Sequence, residues 1–212
     1  RMKEFDEAIA TLRLGTERMP DSAVLHVRLG HTYLVTGRPA EALASMDRTI
    51  ALEPRNVDAY TAAASALDAL GRKAEARDYL EKAIAVEPEN KFLRTSLAMN
   101  LASTGDIGRA IEIYKALVAD FPADHVLRQH LGVAYGVTGD YANAIASFKQ
   151  AIALTPTPTA YLNIAVASKR AGDIAEAVRY LRLYLADPKG ESPVSIKAAE
   201  AELQRLESSL KK

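Results

Sequence analysis

The chain has 212 residues, 49% of them apolar, and its 27 basic and 27 acidic residues cancel to a formal net charge of zero. That balance lacks the clustered basic excess of a nucleic-acid interface, and no run of 18 apolar residues is present to insert in a membrane as a helix. With no cysteine, disulfides, thiolate metal sites and cysteine nucleophiles are excluded, while cytoplasm and periplasm both stay open as compartments.

The chain opens at Arg1 inside a helical pattern. Within residues 1–20, Phe5, Ala8, Ile9 and Leu12 follow helical spacing over 3–18. This helix resembles the second helices described below and lacks a first-helix partner. The expectation is therefore a fragment of a longer protein, with an apolar face over residues 3–18 that invites self-association.

Five segments of one design follow: 23–56, 57–90, 91–124, 125–157 and 158–188. The fourth shows the design most fully. Asp124 can cap a helix that carries Leu127, Leu131, Ala134, Tyr135 and Thr138 on one face. Gly139 suits a left-handed helix end. Asp140 then caps a second helix with Tyr141, Ala144, Ile145, Phe148, Ala151 and Ile152, which Pro156 stops. Two antiparallel helices on so short a turn must pack face to face.

The design recurs with a fixed period. Pro20, Pro54, Pro88, Pro122 and Pro156 lie 34 residues apart, as do Gly37, Gly71, Gly105 and Gly139; Gly172 comes one residue early. Every second helix has an alanine at one place: Ala8, Ala42, Ala76, Ala110, Ala144 and Ala177. A small side chain there lets two backbones approach. Four residues on stands a large apolar residue: Leu12, Met46, Leu80, Tyr114, Phe148 or Leu181. First helices have their own small site at Gly30, Ala64, Ala98, Gly132 and Ala165, and caps at Ser22, Asn56, Asn90 and Asp124. After a linker with Pro188, Gly190 and Pro193, a last helix over 193–211 carries the stripe Ile196, Ala199, Leu203, Leu206 and Leu210. Its two heptads fall short of a coiled coil, and its half-apolar form suits a cap.

Chemistry has no constellation to rest on. His26 and His31, like His125 and His130, are five residues apart, about 140° around a helix, unlike the four-residue spacing of a helical zinc pair. No phosphate-binding glycine loop, nucleophile elbow or paired carboxylates in an apolar setting occur, so no catalytic residue, metal ligand or cofactor is assigned. Tyr33, Tyr114 and Tyr135 occupy core positions.

A 34-residue helix–turn–helix period of this pattern resembles the tetratricopeptide repeat. Leu131-Gly132-x-x-Tyr135, Ala144-x3-Phe148-x2-Ala151 and Pro156 carry the resemblance, and Leu29-Gly30-x-x-Tyr33 with Ala42 and Pro54 repeats it. The family's tryptophan is replaced by His26, Tyr60, Arg94, Arg128 and Tyr161; the arginine stems should pack there while their heads reach water. The resemblance covers roughly residues 3–188. It implies an all-α, right-handed superhelical solenoid of antiparallel helix pairs, one continuous stack closed by a C-terminal capping helix.

The resemblance also implies a non-catalytic scaffold that holds a protein or peptide partner in a concave groove lined by first helices. The matching positions are Val24, Val27, His31 and Leu34, then Asp58, Thr61, Ser65 and Asp68, then Phe92, Thr95 and Met99. They continue with Val126, Gln129 and Val133, and then Leu162, Val166 and Lys169. The lysine–asparagine clamp of co-chaperone members is missing, since Val27, His31, Thr61 and Ser65 stand at its places. The expected lining is apolar, with an acidic patch at Asp58 and Asp68 and a basic end at Lys169 and Arg170. The alternative role is an accessory module of a larger enzyme, secretion or polysaccharide-export protein.

Overall fold

The computed structural model describes residues 2–188 and 190–210, so Lys211 of the expected last helix lies outside the described residues. Among the described residues there are twelve helices and no strand. By contacts the chain groups into two compact units, residues 1–105 and 106–212. The boundary falls in the turn of the third repeat.

The first unit holds α1 (Met2–Arg18), α2 (Ala23–Val35), α3 (Pro39–Leu52), α4 (Val57–Ala69), α5 (Lys73–Val86) and α6 (Lys91–Ser103). Within this unit the helices pack in chain order, from α1 on α2 to α5 on α6. The second unit holds α7 (Ile107–Asp120), α8 (His125–Thr138), α9 (Tyr141–Leu154), α10 (Pro158–Ala171), α11 (Ile174–Ala186) and α12 (Pro193–Leu210). Here too neighbours pack in order, and α8 also touches α10.

The turns form as their residues dictate. Gly139 has φ 82°, and the Asp140 amide donates back to the Tyr135 carbonyl at 3.0 Å. The same bond closes three other pairs: Arg38 to Tyr33, Arg72 to Leu67 and Asp173 to Ser168. Asn56, Asn90 and Asp124 accept first-turn amide hydrogens, as do Asp140 and Asp173. Ser22 differs: it holds the cap position of α2 but makes no side-chain cap bond.

Packing follows the small-residue sites. Ala42, Ala76, Ala110, Ala144 and Ala177 are fully buried. Ala8, at the equivalent place in α1, is exposed. The expected open face of residues 3–18 is otherwise largely closed. Ile9 is only 5% exposed and Leu12 packs with it against Leu29, Tyr33 and Ala42, leaving Phe5 half-buried. The second unit's core joins Phe148, Ile164, Leu181 and Tyr184 to Ala199 and Leu206 of the last helix. Leu210, expected on the same stripe, is exposed.

The tryptophan site has a role that the sequence did not announce. His26 Nε2–H donates to the Pro20 carbonyl at 3.0 Å, the Tyr60 hydroxyl to the Pro54 carbonyl at 3.1 Å, and Arg128 Nη1 to the Pro122 carbonyl. The carbonyl of a repeat-ending proline lies beyond the helix ladder and needs a donor. Three side-chain types supply one at the same place. The arginine head at 128 therefore does not simply reach water. It turns to the main chain, and its Nε is buried without a hydrogen-bond partner.

Candidate partner-binding site

In the first unit, the first helices α2, α4 and α6 present the expected lining unevenly. Val24, Phe92 and Met99 stand exposed, Phe92 by 64%, and Val27 is half-buried. Leu34 is half-buried instead, packed against the core clusters of Leu29 and Tyr33 and of Met46. The polar positions are largely satisfied from within. Thr61, Ser65 and Thr95 donate to carbonyls four residues back in their own helices. In the acidic patch, Asp58 is hydrogen-bonded to His31 Nε2 at 2.8 Å across α2 and α4, while Asp68 remains exposed.

In the second unit, the lining converges on two clefts. One, of about 390 Å³, lies between α10 and α12 and is lined by Leu162, Ala165, Val166, Leu181, Ala199 and Leu206, with Lys169, Arg170 and Glu202 at its polar side. The other, of about 420 Å³, lies between α8 and α10 and is lined by Val133, Gly136, Val137, Tyr141, Phe148, Asn163, Val166 and Arg170. Val133 and Val166 are half exposed, at 50% and 52%. The structure thus brings Val133, Leu162, Val166 and Lys169 together. It leaves Val126 and Gln129 outside both clefts. Gln129 Nε2 donates to the Thr157 hydroxyl at 3.1 Å, which itself caps α10, so this side chain ties two first helices.

The last helix contributes half of one cleft through Ser195, Ala198, Ala199, Glu202 and Leu206. The sequence reading favours a cap for this helix, with a partner-binding or coiled-coil helix as the alternative, and assigns it no groove residue. The small residues Ala199 on its stripe and Ala198 beside it were the available signal. Val137, one residue outside the first-helix pattern, was also missed.

Lys169 is not a free cation. Its Nζ meets Glu202 Oε1 at 2.5 Å, and Arg205 Nη2 approaches the same oxygen at 2.9 Å. The Lys169 hydrogen bond is the largest influence holding the Glu202 carboxyl below its ordinary value of 4.5, against partial desolvation and with help from Arg205. A carboxyl lowered in the folded state stabilises fully above its unfolded value and loses that contribution as pH falls through the folded one. The thermal-midpoint gap between wild type and Glu202→Gln should therefore shrink as pH drops below 4.5. A gap independent of pH in melting curves would contradict the assignment.

Between α7 and α8, the buried Tyr114 stacks on His130 with ring centroids 5.6 Å apart. Burial pushes the Tyr114 hydroxyl up to about 12 and holds His130 below its ordinary value. Among the described residues no group of three histidine or carboxylate side chains is placed to hold a metal, and no helix is long and apolar enough to cross a membrane.

Paired helices on glycine turns, with small residues at their crossings and apolar first-helix faces left open, define a helical-repeat interaction scaffold. The chain belongs to the tetratricopeptide repeat family, whose model matches residues 27–91, 95–156 and 130–193. Among solved structures it is similar to MamA, at 27% identity and TM-score 0.67, covering 72% of this chain and 90% of that one. It is similar in fold to MamA from Desulfovibrio magneticus RS-1, at 21% identity and TM-score 0.74, covering 80% and 97%. A further fold likeness, at 20% identity and TM-score 0.69 over 84% and 93%, is to YrrB, a tetratricopeptide repeat protein with an unusual peptide-binding site. No curated protein matches the chain in sequence.

Proposed function

We propose that this chain is a non-catalytic scaffold whose second unit holds an apolar segment of a partner protein on the α8–α10–α12 face. The observation that carries the reading is the meeting of two apolar clefts at Val166, with half-exposed Val133 across from it. Apolar side chains left open in this way gain by being covered, and a groove between helices is a common seat for a peptide. The exposed Phe92 and Met99 of the first unit offer a second, separate apolar surface.

The test is a random peptide library displayed on phage and panned against wild type and Val133→Lys/Val166→Lys. Both positions are exposed, so the substitutions should leave stability within about 0.5 kcal/mol per site. Peptides enriched on the wild type should bind the double variant tenfold or more weakly by fluorescence polarisation. Equal binding with an unchanged melting curve would reject the α8–α10–α12 face as the seat.

A further inference from the structure

We propose that Arg170 selects what this face holds: a partner segment in which an aspartate or glutamate is flanked on both sides by aliphatic residues. The inference rests on the reading above and names the chemistry of the occupant.

The basic side chains of the second unit's last five helices are nearly all engaged. Lys149 pairs with Glu176 at 2.6 Å, Lys169 with Glu202 at 2.5 Å, Arg182 with Glu207 at 2.7 Å and Arg205 with Glu202 at 2.9 Å. Arg128 is tied to the Pro122 carbonyl, and Arg179 lies over the Tyr180 ring, 5.7 Å from its centroid. Arg170 and Lys197 have no carboxylate, carbonyl or ring partner among the described residues, and of these two only Arg170 lines a cleft.

It lines both. Val166 and Arg170, one helical turn apart on α10, are shared by the two clefts. On one side lie Leu162, Ala199 and Leu206, and on the other Val133, Val137 and Phe148. A purely apolar segment laid across the junction would cover the guanidinium and strip its water without return. A carboxylate there restores the lost hydrogen bonds in the two-pronged geometry that arginine favours. Aliphatic residues before and after it then enter the two clefts. Lys169, one residue away, cannot serve this role because Glu202 already holds it.

The experiment repeats the phage selection with 12-residue peptides on wild type, Arg170→Glu and the off-cleft control Lys197→Glu. Wild type and control should enrich an acidic residue with Leu, Ile or Val on both sides. R170E should lose those clones and prefer Lys or Arg at the same place. An enriched peptide should bind R170E at least tenfold more weakly, and its own Asp→Lys form should bind R170E better than it binds wild type. Enriched peptides that depend on Val133 and Val166 yet show no acidic preference would overturn the proposal and leave the reading of the face intact. Failure to enrich any peptide sensitive to V133K/V166K would overturn both. A dimer in sedimentation that R170E dissolves would make the occupant a second copy of this chain, which also overturns the proposal.

Discussion

Phe148→Ala should destabilise the protein by about 3–5 kcal/mol, the cost of deleting a buried aromatic ring and leaving a cavity. For a chain of this size each kcal/mol moves the thermal midpoint by roughly 2–4 °C, so the shift is readily seen in a melting curve. Phe148 is only 3% exposed and stands at the large apolar site of α9. Its ring lies over the backbone of α8 at Gly132. A methyl group added to Gly132 would meet three of its ring atoms at 2.7, 2.8 and 2.9 Å. Gly132→Ala therefore overpacks a rigid ring, a loss of about 1–3 kcal/mol that exceeds alanine's helix advantage of roughly 1 kcal/mol over glycine.

The two sites are coupled, and the coupling has a sign. In a Phe148→Ala background the obstruction is gone, and Gly132→Ala should then become stabilising. Additive effects in a double-mutant cycle would show that the ring is not what excludes a side chain at 132. The equivalent glycine of the first unit supplies the comparison. A methyl on Gly30 would meet the Met46 Cε at 2.6 Å, its sulfur at 3.2 Å and the Ser45 Cβ at 3.3 Å. The closest contact is the end of a flexible chain, which adapts more readily than a ring. Gly30→Ala should therefore cost less than Gly132→Ala.

Deleting residues 193–212 is the second large perturbation. It removes α12, whose Leu206 and Ala199 are buried against the core formed with Ile164, Leu181 and the fully buried Tyr184. Burying a leucine contributes about 1.5–3 kcal/mol, and the loss here is doubled in kind because Leu181 and its neighbours are uncovered at the same time. The Arg182–Glu207 and Lys169–Glu202 pairs also go. The expected outcome is a second unit that melts well below the intact protein and self-associates, as a repeat stack does without a polar-faced end. Calorimetry and sedimentation read both effects. An unchanged midpoint with a monomeric product would show that α12 is a bystander. The Glu191 carboxylate lies 3.3 Å from the Tyr184 hydroxyl and anchors the linker that brings the helix back.

Much of this architecture could be read from the residues. The alanine and glycine spacing located the helix crossings, and the turn glycine and its following cap located the reversals, because such constraints are local to a few residues. Core tyrosines at 33 and 114 followed from the same period. The candidate site was legible only in part. Which residues lie on first helices was evident from the 34-residue period. Which of them remain open depended on neighbours far along the chain: Leu34 was drawn against the core, Gln129 into bridging two helices, and Lys169 onto Glu202, 33 residues later.

The sequence by itself determined the helices, their turns and the family, since period, caps and small-residue sites are each written within one repeat. Only the tertiary structure decided that α12 forms a wall of a cleft, that Ile9 is covered, and that Arg170, without a partner among the described residues, lines two apolar hollows at once. The physical reason is that a helix pair encodes its own packing locally, whereas pairing of charges and exposure of apolar groups depend on which surfaces meet. Those meetings are made across repeats.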